Sequence, residues 1–128
     1  VACLPADHPL TAKSTLVLAD ILDEPMIASP TPGIWRDYWL ANDYRDVDHP
    51  APVVLEVATV ESELQAVAMG RAISITADST ARYYTRPGVV FRDISDMRKC
   101  VVGIGHRGPP NALMGDFIDV VKRMSAAF

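Results

Sequence analysis

The sequence predicts an α/β fold with a partly parallel sheet. Three observations carry that reading. Strand-like and helix-like segments alternate along the chain instead of clustering by type. One stretch, residues 53–79, reads as a complete strand–helix–strand unit. The chain has 128 residues, 49% of them hydrophobic, which suffices for a single domain, residues 1–128, with its own core.

The elements follow in order. Residues 1–4 read as a strand that Pro5 stops, and residues 7–15 are loop chemistry. Residues 16–22 suit one or two helical turns, and residues 25–28 a short buried strand. The prolines and glycine of Ser29-Pro-Thr-Pro-Gly33 make a stiff loop. Residues 34–44 are expected to form a helix with Trp35, Tyr38 and Trp39 on one face. A polar loop with two prolines covers residues 46–52.

The organising unit comes next. Val53, Val54, Leu55 and Val57 read as a buried strand. Thr59 is a natural helix cap, and Val60, Leu64, Val67 and Ala68 recur at helical spacing. Gly70 ends that helix, because it adopts positive φ without cost. Residues 73–76 are a second short strand, and Ser79 can cap a further turn through Tyr84. Residues 89–94 and 99–106 read as strands, the latter with Gly103 and Gly105 marking close backbone approach or a bend. Asn111 can cap a last helix over residues 112–127. The sheet should hold about five strands with helices on both faces. Strand 53–57 should lie at or near one edge, beside 25–28, with 73–76 on the other side.

Charge and motifs exclude several classes. The formal net charge is −4, and no basic run is longer than Arg98-Lys99 or Lys122-Arg123. Binding the phosphate backbone needs a concentrated positive face, so this stretch alone is a poor nucleic-acid binder. No apolar run of about 18 residues exists to span a membrane. His8, His49 and His106 are far apart, without metal-ligand spacing or a paired nucleophile. No catalytic residue, metal or cofactor is expected. Cys3 and Cys100 read as free thiols of a cytoplasmic protein.

The candidate site is a group of residues after strands. Ser29, Thr31, Thr59 and Thr76 each follow a predicted strand, and the C-terminal ends of parallel strands converge on one rim. Each alone reads as a cap or turn residue. Together, with the amides of Val60 and Ala77, they can hold a small polar ligand. Glu61 and Glu63, in the first turn of the central helix, complement its dipole. The sharper reading makes them a carboxylate pair for a cationic ligand. Trp35 and Trp39 read as core residues before they read as a stacking platform.

Several segments then carry a resemblance: Leu4-Pro-Ala-Asp-His-Pro-Leu10, Leu18-Ala-Asp-Ile-Leu-Asp-Glu-Pro-Met-Ile27 and Val57-Ala-Thr-Val-Glu-Ser-Glu-Leu-Gln-Ala-Val-Ala-Met-Gly70. Tyr83-Tyr-Thr-Arg-Pro-Gly-Val-Val-Phe-Arg-Asp-Ile94 and Val101-Val-Gly-Ile-Gly-His-Arg107 follow in order. In order and spacing they resemble the effector-binding domain of LysR-type transcriptional regulators. That resemblance implies a periplasmic-binding-protein-like (type II) lobe of a cytoplasmic regulator. Two crossing strands hinge such lobes, and a small-molecule effector binds between them. The chain lacks an initial Met and reads as an excerpt: the second lobe, the crossing strands 1–4 and 99–106, and a C-terminal helix in residues 108–128. That helix packs on the first lobe in the family.

The resemblance places the effector against Ser29–Thr31, Thr59–Glu61 and Thr76–Asp78, and leaves DNA to an absent N-terminal domain. Departures from the family pattern occur at Gly70-Arg71-Ala72, Thr76-Ala-Asp78 and His106. The adjacent crossing strands can bring Cys3 near Cys100. An apolar stripe of Leu113, Phe117, Val120, Val121 and Met124 predicts a homo-oligomer built on the C-terminal helix and the crossing strands. The alternatives are a solute-binding lobe, a small α/β enzyme of the same fold, or a bare interaction module. The reading frame upstream of Val1 discriminates between them.

Overall fold

The computed structural model describes residues 1–101, 103–109 and 111–125. The chain divides into two compact units, Val1–Arg98 and Lys99–Phe128. The strands are β1 (Ala2–Pro5), β2 (Thr15–Leu16), β3 (Met26–Ala28), β4 (Val53–Glu56), β5 (Ser74–Ile75) and β6 (Val89–Ile94). The helices are α1 (Ile34–Trp39), α2 (Val60–Ala68), α3 (Asp78–Tyr83) and α4 (Ala112–Ser125). Among the described residues, α4 is the one element in the second unit.

The sheet is mixed. Four strands run in the order β2-β6-β1-β5, and β3 and β4 form a parallel pair. A parallel bridge between Met26 and Ile73 joins the two sets. As expected, β4 is an edge strand beside β3, with Ile73 on the far side of β3. β1 is antiparallel to both of its neighbours, while β2 and β6 run parallel.

The period of two in the strands sorts their residues onto two faces. Ala2, Leu4, Met26, Ala28, Ile73 and Ile75 enter one core cluster, covered by Leu18, Ile21, Leu40 and Ala41 from the connecting segments. Cys3 and Ile27 enter the other, covered by Leu64, Ala66 and Val67 of α2. Both faces are therefore covered. β4 is less buried than its apolar run suggests, because Val54 and Glu56 are exposed. An edge strand has one neighbour, and its outward side chains face solvent.

Local chemistry explains where α2 starts and stops. Thr59 Oγ1 accepts the Ser62 amide at 3.1 Å, a standard N-cap. At the other end Gly70 takes φ 69°. Its N–H reaches the Val67 carbonyl, and the Arg71 N–H reaches that of Ala66. This is the Schellman arrangement, which needs a left-handed residue.

Four expectations are corrected. No strand is assigned in residues 99–101 or 103–106, and residue 102 lies outside the described residues. Cys3 faces Ser74 and Phe91 across the sheet, and both cysteines are free. The helix from Ile34 stops at Trp39, because Ala41 adopts the left-handed region at φ 53°, and a short 3-10 turn, Asn42–Tyr44, follows. In residues 16–22 a two-residue strand and a 3-10 turn, Leu18–Asp20, replace the helical turns. α3 begins after Ala77 with no side-chain cap, so Ser79 lies inside it.

In the second unit, Asn111 caps α4 as expected, its Oδ1 accepting the Met114 amide at 2.9 Å. The predicted stripe lies on α4, with Leu113 79%, Phe117 58% and Met124 58% exposed. Residues 126–127 of the predicted helix lie outside the described residues.

One side chain ties the irregular segment after α1 to the core. Arg45 donates to the Leu40 carbonyl at 2.9 Å and to the Leu22 carbonyl at 2.6 Å, and it touches Met26 Sδ at 3.1 Å. Arg45→Ala leaves both part-buried carbonyls without this donor. A hydrogen bond to a charged group contributes about 1.5–3 kcal/mol, so the variant should lose about 2–3 kcal/mol in urea unfolding. Arg45→Lys should recover less than half, because an ammonium lacks the planar fork. Unchanged stability in both variants would contradict the assignment.

Candidate functional site

β3, β4 and Ile73 run in one direction, so the strand ends after Ala28, Glu56 and Ile75 open on one rim. The Val57 amide donates to the Ala28 carbonyl at 2.9 Å and holds the first two ends together. The Thr76 amide is held at 2.9 Å by the Val1 carbonyl. The loop 29–33, the start of α2 and the start of α3 all leave from this rim.

The structure brings the six expected residues to the rim by topology, with different tasks. Ser29 Oγ accepts the Thr31 amide at 3.3 Å, a local turn bond. Thr31 is exposed. Thr59 is exposed, and its hydroxyl serves the α2 cap and contacts Ser62 Oγ at 3.1 Å. Val60 is half-buried and packs on the α2 side of the core. Thr76 is buried, and its hydroxyl pairs with that of Thr80 at 3.1 Å. Ala77 caps α3 through its backbone, its carbonyl accepting the Thr80 amide. The first amides of α2, on Val60 and Glu61, have no intrahelical acceptor and point out of the helix start. The rim thus offers small side chains, backbone amides and two exposed threonines, Thr31 and Thr59.

Sequence reasoning missed Arg36. Its Nη1 donates to the Ser29 carbonyl and to Glu56 Oε1, the latter at 2.7 Å. That places a cation, largely covered, across the ends of β3 and β4. The available signal was weak: a single Arg in an aromatic helix segment, with Glu56 twenty positions away.

The two acids of α2 separate. Glu61 is exposed, whereas Glu63 turns inward, and burial raises its pKa. They do not form the pair that a cationic ligand would need. The tryptophans separate too. Trp39 packs against the core, while Trp35 is 59% exposed and meets Trp39 edge-on at 5.3 Å.

A shallow groove of about 470 Å³ lies beside the rim, between Leu55 and Val57 of β4 and Gln65 and Met69 of α2. It contains none of the six residues. It is too open to bury most of a small ligand, which a binding site normally does. Among the described residues no cluster of His, Cys, Asp and Glu could hold a metal ion.

The family described as the LysR substrate binding domain matches residues 1–126. The chain belongs to this family. No curated protein matches it. Solved structures show the same fold. The regulatory domain of CcmR from Synechocystis PCC6803, in complex with 2-PG, aligns at TM-score 0.68 and 19% identity, covering 97% of this chain and 61% of that one. The BenM effector binding domain with its effector benzoate aligns at 0.63 and 23%, covering 74% and 44%. Full-length OxyR C199D from Pseudomonas aeruginosa aligns at 0.60 and 21%, covering 74% and 36%. This LysR substrate binding domain thus has the periplasmic-binding-protein-like type II fold, and spans less than half of the BenM effector domain. No helix among its described residues is long and apolar enough to cross a membrane.

Proposed function

We propose that this LysR substrate binding domain is the second lobe of the effector-sensing part of a transcriptional regulator. It binds a small molecule at the rim formed by Ser29, Thr31, Thr59, Val60, Thr76 and Ala77. The observation that carries the reading is the convergence of three same-direction strand ends with the start of α2. Ligands of open α/β sheets favour that place. The benzoate and 2-PG named with BenM and CcmR support a small-molecule ligand. Arg36 adds a cation whose partner Glu56 is half-exposed and displaceable. The role is sensing, not catalysis, in a cytoplasmic protein. DNA contact belongs to a helix-turn-helix domain outside these 128 residues. α4 is the helix that packs on the other lobe in the family.

A thermal-shift screen of small organic acids and amines tests the site. A ligand at a hundred times its Kd stabilises the folded state by roughly 2.7 kcal/mol. The shift should fall in Thr31→Val and in Arg36→Gln. Thr59→Ala should lower it too, but that variant also loses about 1 kcal/mol with the cap and must be read against its own baseline. A shift that survives all three moves the site elsewhere.

A second reading, self-association, is supported by the exposed stripe on α4. Contiguous apolar surface of this kind marks interaction sites. Sedimentation should show a dimer that Phe117→Asp disrupts. A wild type that stays monomeric at high concentration ends this reading.

A further inference from the structure

The first unit ends at Arg98, which lies in no strand. Two phenols hold its peptide groups. The Arg98 amide donates to the Tyr44 hydroxyl at 2.8 Å, and its carbonyl accepts the Tyr38 hydroxyl at 2.6 Å. The Arg98 guanidinium stands 3.6 Å from Asp43, in a pair too exposed to add much. One residue is thus gripped at both backbone groups by the segment 38–44, far earlier in the chain.

The same segment carries Arg36. Residues two apart on a helix project about 200° apart, so Arg36 and Tyr38 leave opposite sides of α1. Arg36 reaches the ends of β3 and β4, through the Ser29 carbonyl and Glu56. Tyr38 reaches Arg98. The C-terminal end of α1 is seated. Trp39 packs against the core and meets Tyr38 edge-on at 4.8 Å, and Leu40 is buried. The N-terminal end is not seated in this way. Gly33 gives it no side-chain cap, and Ile34 and Trp35 are exposed, so Arg36 is its tether. The turn after α1 is tied to the helix. Asn42 Nδ2 donates to Asp37 Oδ1 at 2.9 Å, and the Ala41 amide donates to the Tyr38 carbonyl at 3.1 Å. The Tyr44 amide reaches the Ala41 carbonyl at 3.0 Å, so Arg36, Tyr38 and Tyr44 belong to one connected piece.

We propose that α1 and the turn after it relay the state of the effector rim to the end of the first unit. What holds Arg36 sets how firmly Tyr38 and Tyr44 grip Arg98. The input rests on the effector reading; the mechanical link does not. Its two arrangements are chemical, with Arg36 either on Glu56 or on an anionic group of a ligand. Glu56 is half-exposed, so its bond to Arg36 is open to exchange. A carboxylate or phosphate suits the exchange, because either accepts the guanidinium fork bidentately. A guanidinium drawn off the Ser29 carbonyl and Glu56 releases the N-terminal end of α1. Hydrogen bonds weaken steeply with misalignment, so a small shift of α1 costs the phenol bonds and passes the Arg98 peptide groups to water. A ligand that prefers the released arrangement thereby frees the residue at which the first unit ends.

Amide exchange followed by NMR on the 128-residue chain tests the relay without a ligand. Arg36→Gln should speed exchange of the Arg98 amide about fivefold, the scale of one hydrogen bond. Glu56→Gln leaves the guanidinium in place and should act in the same direction, by less; it carries the same test should Arg36→Gln fail to fold. Exchange of the β1 amides reports global opening and should change less than that of Arg98 in every variant. Tyr38→Phe removes the donor to the Arg98 carbonyl and should also speed exchange of the Arg98 amide. The double variant Arg36→Gln/Tyr38→Phe should fall short of the product of the single effects, because Arg36 acts through the same grip. An Arg98 amide that neither Arg36→Gln nor Glu56→Gln moves, a rise matched in β1, or two single effects that multiply in full would each overturn the relay. Its failure leaves the rim site standing, and failure of the ligand screen leaves the mechanical link standing.

Discussion

The double pairing of β1 is the constraint on which the first unit depends. All four of its residues are buried and pair with β6, and Ala2 and Cys3 also pair with β5 on the other side. Through β5 and Ile73 this strand reaches β3 and β4, and through β6 it reaches β2. Its side chains alternate between the two cores, Ala2 and Leu4 into one and Cys3 into the other. A one-residue slip would exchange those faces and place Cys3 among the aliphatic residues of the first core. The register of β1 thereby positions β5, and β5 helps aim the rim.

The rim follows from direction, not from any single residue. β3, β4 and Ile73 share one sense, so their following loops meet without being close in sequence. What they present is mostly backbone. Thr59 and Thr76 are occupied by a cap and by a buried hydroxyl pair, which fixes the geometry of the helix starts. In the proposed effector site, Arg36 and Thr31 are the side chains left to meet a ligand. A site of this kind discriminates by shape and by amide donors, and its residues look like ordinary turn chemistry.

Much of this was legible beforehand because its signals are local. The Thr59 cap, the Gly70 stop and the Asn111 cap each rest on bonds within five residues. The edge position of residues 53–57 and its neighbours also came through, since strand–helix–strand units connect in few ways. What escaped was set by distant partners. Residues 99–106 have strand composition, yet 99–101 and 103–106 form no strand. The stop at Trp39 depends on Ala41 accepting a left-handed conformation that its type disfavours. Arg36, Arg45 and Glu63 are charged helix or loop residues in sequence, and only tertiary packing shows which of them turn inward. The family resemblance added the effector reading, which no local pattern in this chain carries.

The most direct measurement is an amide NMR map of the chain with a ligand from the thermal-shift screen. If the rim is the effector site, the largest shifts fall on Thr31, Thr59, Val60 and Ala77, with the Arg36 side chain moving as well. Shifts concentrated in the groove between β4 and α2, or on α4, with these residues unmoved, would contradict it.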